Sequence, residues 1–562
     1  MLADIKGFKS IILDYSILGE YAGTPLFGEF TDILSEGCNE IYVSKTFKML
    51  HYCELHQMES SSSAKSKAMK ILCSYLIPDK RMHLVPVSGT AEFINSVKDL
   101  EDPCIFTTRK SIFIKRLFEL RPEYKGAIAV VNKGECTVYP SLDEMYEACP
   151  LPKLSKLAEN NKYLDSPVMA SISDIVTNED NSKSFELVKR MSGGAEGMVF
   201  TTDTRTLVAK IYHKGVITPL RWAKLKRLSE LGITSSGFCI PRDLLFFKGV
   251  PVGYTMPLGK GTTLGNVFDG PDAVVEHFPD WTREDVVDTL ISLIEKYLYL
   301  HMRDVIAGDI QLKNALIYNS RNVYLIDMDS VQVGNLPCPV GTEEFTDPRL
   351  WGRNFAGFVR ELRDEDYSIA MLVFSVLFCG LHPYATRKGA ETLREEILSK
   401  NFPYTLDDSD EEHIPLGGYN FIWRYLPEQL RKMLYGTFRL GRNYEAVQWY
   451  DAVLSYKEEL ASRKYTDIEA YKIFPQKADL KQKETDLTAA SKPAADSGSD
   501  AHPKRFEKPV FNNAPTGRYI PKNDTMPSPF KPAGEGSGES KPEPESGGAP
   551  EGNKKGKFFG LF

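Results

Sequence analysis

The feature of this sequence that most restricts its fold is the spacing of three polar residues in the middle of the chain. Asp309 and Asn314 lie five residues apart in the segment 307–317, which reads AGDIQLKNALI. Asp327 follows Asn314 by thirteen residues, directly after the apolar run 323–326. Residues of these types rarely occur at this spacing by chance. The neighbouring segments of the chain indicate which fold they belong to.

A glycine-rich segment lies upstream of these three residues. Residues 192–199 (SGGAEGMV) separate two strand-like segments, and the second of these ends at Lys210. Glycines between two strands let backbone N–H groups approach phosphate oxygens closely, and a lysine at the end of the next strand reaches the α- and β-phosphates. We therefore predict a nucleotide site with these candidate residues: Gly193, Gly194, Gly197, Val199 and Lys210.

Glu230 has two interpretations. It lies about 20 residues after Lys210, within the amphipathic segment 221–231 that predicts a helix. In the first interpretation its carboxylate holds the Lys210 ammonium in place, which would make Glu230 part of the cofactor site. In the second it is a charge on the solvent face of the helix.

Together these segments resemble the protein-kinase family. The segment 307–317 resembles the catalytic loop, which implies that Asp309 accepts the proton of the acceptor hydroxyl. The same resemblance implies that Asn314 and Asp327 are ligands of Mg²⁺ and that Lys210 is a catalytic residue that holds the phosphates.

Other segments follow in the order of that family. Residues 252–258 resemble the strand and hinge that receive adenine, which implies that Met256 binds the cofactor. Asp366 resembles the buried aspartate that opens a core helix in kinases. The resemblance covers 184–462, so we expect a two-lobed α+β kinase-like domain there.

The activity implied by the resemblance is ATP- and Mg²⁺-dependent phosphoryl transfer to protein hydroxyls, of the Ser/Thr type. The patterns Gly-Asp-Ile-x-Leu-x-Asn and Ile-Asp-x-Asp further resemble bacterial kinases that work beside PP2C-type phosphatases and von Willebrand A proteins. Proteins of these two classes are therefore the expected partners, in addition to a protein substrate.

Departures from the family pattern keep an alternative open. Ser192 replaces a loop glycine, Gln311 replaces a lysine that steadies the γ-phosphate, and Arg349 stands where the family has a glutamate. A nucleotide-binding pseudokinase that serves as a scaffold is the alternative. Gly308 also replaces the arginine that phosphorylation of the activation segment neutralises, so we expect control to come from the N-terminal domain, the tail or a partner.

The first 154 residues predict a separate Rossmann-like α/β domain, because strand-like runs alternate with helical ones. The strands are expected at 10–13, 41–44, 83–87, 104–107 and 127–131, and the helices at 64–75, 91–100 and 111–120. The start of the chain resembles PIN-type nucleases, with Asp14 at the metal-binding position, but Lys110 takes the place of a second carboxylate. The favoured interpretation is a Rossmann-like domain that has lost the nuclease residues and binds partners. A metal-dependent nuclease is the third possible function, after the kinase and the pseudokinase.

Composition sets the remaining limits. The chain has 69 Lys+Arg and 76 Asp+Glu, which gives a net charge of −7. It therefore has no excess of positive charge that would favour binding to nucleic acid. We expect no membrane span, because the longest apolar run, 369–381, has 13 residues, fewer than the roughly 20 that a span needs. We expect a cytoplasmic location, because the start of the chain shows no signal-peptide pattern. We also expect reduced cysteines, because the nine cysteines form no CxxC pair. Residues 155–183 are the expected linker between the two domains. Residues 463–562 are expected to form a mostly disordered tail rich in Pro and Gly. The aromatic residues at its end, 558–562, are either a docking peptide or incidental.

Overall fold

The computed structural model describes residues 2–36, 39–57, 64–76, 81–159, 163–164, 166, 168–235, 237–390, 392–407 and 412–476. The described residues all belong to one unit, Met1–Thr516. Most of the expected tail, including its aromatic end, lies outside the described residues.

The N-terminal domain is a six-stranded sheet with helices between its strands. Its strands are β1 (Ser10–Leu13), β2 (Glu40–Ser44), β3 (Met82–Val85), β4 (Pro103–Thr108), β5 (Ala127–Asn132) and β6 (Glu135–Tyr139). Its helices are α1 (Tyr15–Tyr21), α2 (Pro25–Glu36), α3 (Lys45–His56), α4 (Ala64–Leu76), α5 (Thr90–Val97), α6 (Ile112–Leu120) and α7 (Leu142–Ala148).

The strand order is β3-β2-β1-β4-β5-β6, and the first five strands are parallel. All four residues of β1 are buried, as expected for a central strand that helices cover on both faces. The five predicted strands and three predicted helices of this domain occur at their expected places. The sequence did not indicate β6, which pairs antiparallel with β5 at the sheet edge.

The second part of the chain begins with a closed antiparallel barrel and one helix. The barrel strands are β7 (Ile175–Thr177), β8 (Ser184–Gly193), β9 (Gly197–Thr202), β10 (Leu207–Tyr212), β11 (Leu244–Phe247) and β12 (Val250–Pro257), and the helix is α8 (Pro219–Glu230). Strand β7 pairs with β8 and β11. The boundary predicted at 184 therefore falls inside the barrel, because a strand of three residues gives too short an apolar pattern to recognise.

A mainly helical region follows. Its strands are β13 (Thr262–Thr263), β14 (Val305–Ile306), β15 (Ala315–Asn319), β16 (Asn322–Leu325) and β17 (Gln332–Val333). Its helices are α9 (Leu264–Val267), α10 (Pro271–His277), α11 (Arg283–His301), α12 (Leu362–Leu377), α13 (Leu393–Leu398), α14 (Tyr419–Tyr425), α15 (Glu428–Phe438) and α16 (Ala446–Ala461).

One hydrophobic core joins this helical region to the N-terminal domain. Leu13 and Leu50 of the sheet domain belong to the same buried cluster as Leu298 of α11 and Val447 of α16. The cluster also includes Ile473, which is 5% exposed, so the folded chain continues past the boundary predicted at 462. Ile473 is buried because residues of distant helices pack against it. Within the described residues, no helix is long and apolar enough to cross a membrane.

Candidate active site

The register of the barrel sets the position of Lys210. Strand β10 pairs antiparallel with β9 and β12, which places Lys210 opposite Val199 and Tyr254. Met256 lies opposite Val208, two residues from Lys210 along β10. Since residues two apart on a strand share a face, Met256, Val199 and Lys210 lie on one face of the sheet. The sheet thus brings three of the predicted cofactor residues together.

Two carboxylates hold the Lys210 side chain. Its Nζ donates to Asp329 at 2.8 Å and to Asp327 at 3.0 Å. Asp329 also accepts the hydroxyl hydrogen of Tyr212. Burial raises the pKa of Asp329, but Lys210 and Arg221 outweigh burial and hold that pKa below its usual range. Burial likewise lowers the pKa of Lys210, yet the Asp329 carboxylate raises it well above its usual value. Both groups are therefore charged at neutral pH.

The prediction that Glu230 holds Lys210 is wrong. Glu230 pairs with Arg227 at 3.5 Å, one helical turn away, and its side chain is 49% exposed. Nine residues, or two and a half turns, separate it from Arg221, which faces the barrel and donates to Glu196 at 2.6 Å. Glu230 consequently lies on the opposite side of α8. Asp329, two residues after Asp327, supplies the carboxylate instead, and the sequence signal for it was the second acid of the Asp-Met-Asp pattern.

Helix α8 also presents a buried lysine to the segment that follows Asp327. Lys224 donates to the backbone carbonyls of Ser330 at 3.0 Å and Pro337 at 2.7 Å. Burial lowers the pKa of Lys224 to about 8. The helix therefore contacts this segment through a cation and backbone carbonyls, which the sequence did not predict.

Asp309 lies at the centre of a hydrogen-bond network. Its Oδ1 accepts from the Thr342 hydroxyl at 2.8 Å, and its Oδ2 accepts from Gln311 at 2.9 Å and from the Asn314 amide at 3.1 Å. A carboxylate offers about four lone-pair positions, so these bonds orient the group and leave room for one more donor. The structure thus brings Asp309 and Asn314 together as predicted, and it adds Thr342 and Gln311.

A buried arginine from farther along the chain lies beside Asp309. The Arg360 guanidinium, on a residue that is 5% exposed, donates to the carbonyls of Gly308 and Val340. Gly308 has φ +75°, and a Cβ there would lie 2.5 Å from the Arg360 side chain and 2.8 Å from the Cys338 sulfur. Both the positive φ and the close approach of Arg360 therefore require glycine at position 308. Arg360 links the segment 307–317 to the segment around Val340.

Asp327 and Asn314 can supply oxygen ligands to a metal ion. The backbone N–H of Ile326 donates to the Asn314 carbonyl at 2.9 Å, which brings the two segments together. The Asp327 side chain is 60% exposed, and its residue has φ +57°, an uncommon conformation that occurs often at functional sites. Carboxylate and amide oxygens are hard donors that suit Mg²⁺. The side-chain oxygens of these two residues are therefore of the ligand type that would hold Mg²⁺.

The glycine-rich hairpin is closed by a bond from the Gly194 N–H to the Gly197 carbonyl, at 2.9 Å. A Cβ on Gly197 would lie 2.4 Å from the Ile211 carbonyl oxygen, so only glycine allows β10 to approach. A Cβ on Gly193 would meet the Arg190 side chain, whereas one on Gly194 would meet nothing within 4 Å. The space around Gly194 at the tip of the hairpin is therefore open, and we expect phosphate oxygens to approach the backbone there.

In the N-terminal domain, Asp14 directly follows β1, and its carboxylate accepts hydrogen bonds from hydroxyl groups. Thr107 donates to its carboxylate at 2.8 Å, and Ser16 donates to the same oxygen. Burial raises the pKa of Asp14. Lys110 is exposed. Asp14 lines a cavity of about 180 Å³ that Arg303, just after α11, also lines. Among the described residues, no group of three or more His, Cys, Asp or Glu side chains could hold a metal ion.

Comparison with known proteins relates part of the chain to kinases. It is 27% identical over 237 residues to Protein kinase YegI of Escherichia coli O157:H7, an alignment that covers 39% of this chain and 36% of that protein. It is also 27% identical over 239 residues to Protein kinase YegI of Escherichia coli strain K12, with 40% and 36% covered. The chain thus matches about a third of the length of these curated relatives.

A solved structure, described as the ROP18 kinase domain in complex with AMP-PNP and sucrose, also matches. It aligns with a TM-score of 0.36 and 13% identity, over 53% of this chain and 88% of that chain. That likeness is too low to carry an argument. No family model matches the chain.

Proposed function

The chain is protein-kinase-like, and from this premise we propose that it transfers the γ-phosphoryl group of ATP to a Ser or Thr hydroxyl of a protein. The observation that carries the proposal is the placement of Asp309 among Asn314, Gln311 and Thr342, with one lone-pair position left for a donor. An acceptor hydroxyl that donates to this position is oriented toward the phosphoryl group, and its proton passes to Asp309.

Charge neutralisation supports the same proposal. Lys210 carries a positive charge on the sheet face that also holds Val199 and Met256. In phosphoryl transfer the protein mainly positions the reactants and stabilises charge on the phosphate oxygens. Lys210 would bind those oxygens, while Asp327 and Asn314 would hold Mg²⁺, which neutralises charge on the β- and γ-phosphates when it is bound.

A pseudokinase scaffold is the second candidate, because Asp327 already pairs with Lys210 at 3.0 Å. A nucleotide has to compete with this ion pair for the lysine. In a scaffold of this kind, Lys210 and Asp327 would bind Mg-ATP and stabilise the fold, but no phosphoryl group would be transferred.

The deciding experiment compares the full chain with its Asp309→Asn variant. Both are incubated with radiolabelled ATP, Mg²⁺ and casein as a general acceptor, and Mg-ATP binding is measured in parallel by thermal shift. Transfer by the wild type, with at least a hundredfold loss in the variant and unchanged binding, is the expected result. Binding without transfer in the wild type would favour the scaffold, and absence of both would refute the two proposals.

A further inference from the structure

The backbone just before Asp309 is held by a carboxylate from α12. The N–H groups of Ala307 and Gly308 donate to the two oxygens of Glu365, at 3.2 and 3.4 Å. Glu365 is 2% exposed, so water does not compete for these bonds. Because Asp309 is the next residue, the position of Glu365 helps to set the position of the Asp309 carboxylate.

Glu365 is adjacent to Asp366, and the sequence alone does not distinguish their partners. The resemblance to kinases marked Asp366 as the buried aspartate of this helix, and Asp366 is indeed 1% exposed. Its carboxylate, however, contacts Asn443, the Ala446 N–H and Arg116. Glu365, one residue earlier, faces the catalytic loop instead.

Arg116 comes from α6 of the N-terminal domain. Its guanidinium binds both oxygens of Asp366 at 2.7 Å, and the two side chains are 3% and 0% exposed. Such a two-point bond fixes both distance and orientation, which a lysine cannot do. The first turns of α12 are therefore held by a residue from a different domain.

A second residue of α6 contacts the same end of α12. Glu119 accepts the backbone N–H of Leu362 at 2.7 Å, and that of Arg363 at 3.4 Å. The first N–H groups of a helix have no partner within the helix, and a negative charge there is favourable. Glu119 also accepts from Arg116 at 2.8 Å, so the two residues of α6 form one unit on the start of α12.

We propose that helix α6 of the N-terminal domain positions the catalytic loop, with Arg116 and Glu119 as positioning residues that act through α12 and Glu365. The N-terminal domain is then an integral part of the phosphotransfer site and not a separate module. A partner that moves α6 would change the rate of transfer while leaving the nucleotide face around Lys210 intact. The kinetic part of this inference rests on the proposed function.

The test uses the full chain and the variants Arg116→Ala, Glu119→Ala and Lys45→Ala. Lys45 is the control, since it also joins the two parts of the chain, but its ion pair is with Asp451 of α16 and not with a residue of α12. Hydrogen exchange is measured on peptides that contain the Ala307 and Gly308 amides, and transfer to casein is measured over a range of Mg-ATP concentrations.

We expect Arg116→Ala to speed exchange at these two amides at least tenfold and to lower kcat at least tenfold, with KM for Mg-ATP changed less than twofold. Glu119→Ala, which removes only the contact with the helix end, should act in the same direction with a smaller effect and protects the test against misfolding of the first variant. Lys45→Ala should change neither quantity.

Wild-type exchange at Ala307 and Gly308 in both α6 variants would overturn the inference, as would equal acceleration in Lys45→Ala. A loss expressed in KM with kcat unchanged would also overturn it. If the wild type transfers no phosphate, the proposed function fails, whereas the exchange comparison still decides whether α6 holds the catalytic loop.

Discussion

The pairing of Lys210 with Asp329 leads to a specific prediction about Asp329→Asn. The substitution keeps the size of the side chain but removes a buried charge that faces Lys210, Arg221 and the Tyr212 hydroxyl. Lys210 would retain only Asp327, whose side chain is 60% exposed and therefore screened by water. We expect the variant to be less stable than the wild type.

The magnitude follows from the burial of the pair. Removing one partner of a buried ion pair costs about 3–5 kcal/mol. Because Asp327 at 3.0 Å still compensates part of the Lys210 charge, we expect the lower end, about 3 kcal/mol. With a slope of about 3 kcal/mol per molar urea, this lowers the midpoint of urea unfolding by about 1 M.

Glu230→Gln is the control, since Glu230 is the carboxylate that the sequence offered as one candidate partner of Lys210. Its ion pair with Arg227 is about half exposed on both sides, so its loss should change the free energy of unfolding by less than about 0.5 kcal/mol. Urea unfolding followed by circular dichroism measures both variants. If Asp329→Asn proves neutral, or if Glu230→Gln costs as much, the assignment of Asp329 as the lysine's partner is refuted.

Three further predictions can be measured directly. Mg-ATP at a hundredfold excess over its Kd should stabilise the wild type by about 2.7 kcal/mol, and Lys210→Ala should abolish the thermal shift; a shift retained in full would contradict its role. Dephosphorylated wild type should keep its transfer activity, because Lys224 and Arg360 already hold the segment after Asp327; activity that returns only after phosphorylation there would refute this. Gly253→Ala should destabilise the barrel by at least about 2 kcal/mol in urea unfolding, because its Cβ would lie 1.9 Å from the Lys210 carbonyl oxygen, and wild-type stability would contradict that packing.

The sequence by itself determined the parts of this protein that depend on short stretches of chain. The strand at 10–13, the glycine hairpin, the lysine within β10 and the spacing of Asp309 and Asn314 all follow from local patterns. Such patterns encode which backbone conformation a segment adopts and which side chains share a face.

Which distant groups come into contact depends on how the helices and sheets pack. The rotation of α8 about its axis turns Glu230 to solvent, and the fold brings Asp329 to Lys210 instead. Glu365 and Asp366 are neighbouring acids, yet Glu365 accepts a backbone N–H from the segment just before Asp309, whereas Asp366 binds Arg116 of the N-terminal domain. Contacts between distant segments depend on helix rotation and packing, which no local pattern records. The sequence could therefore name candidate site residues but not the residues that hold them.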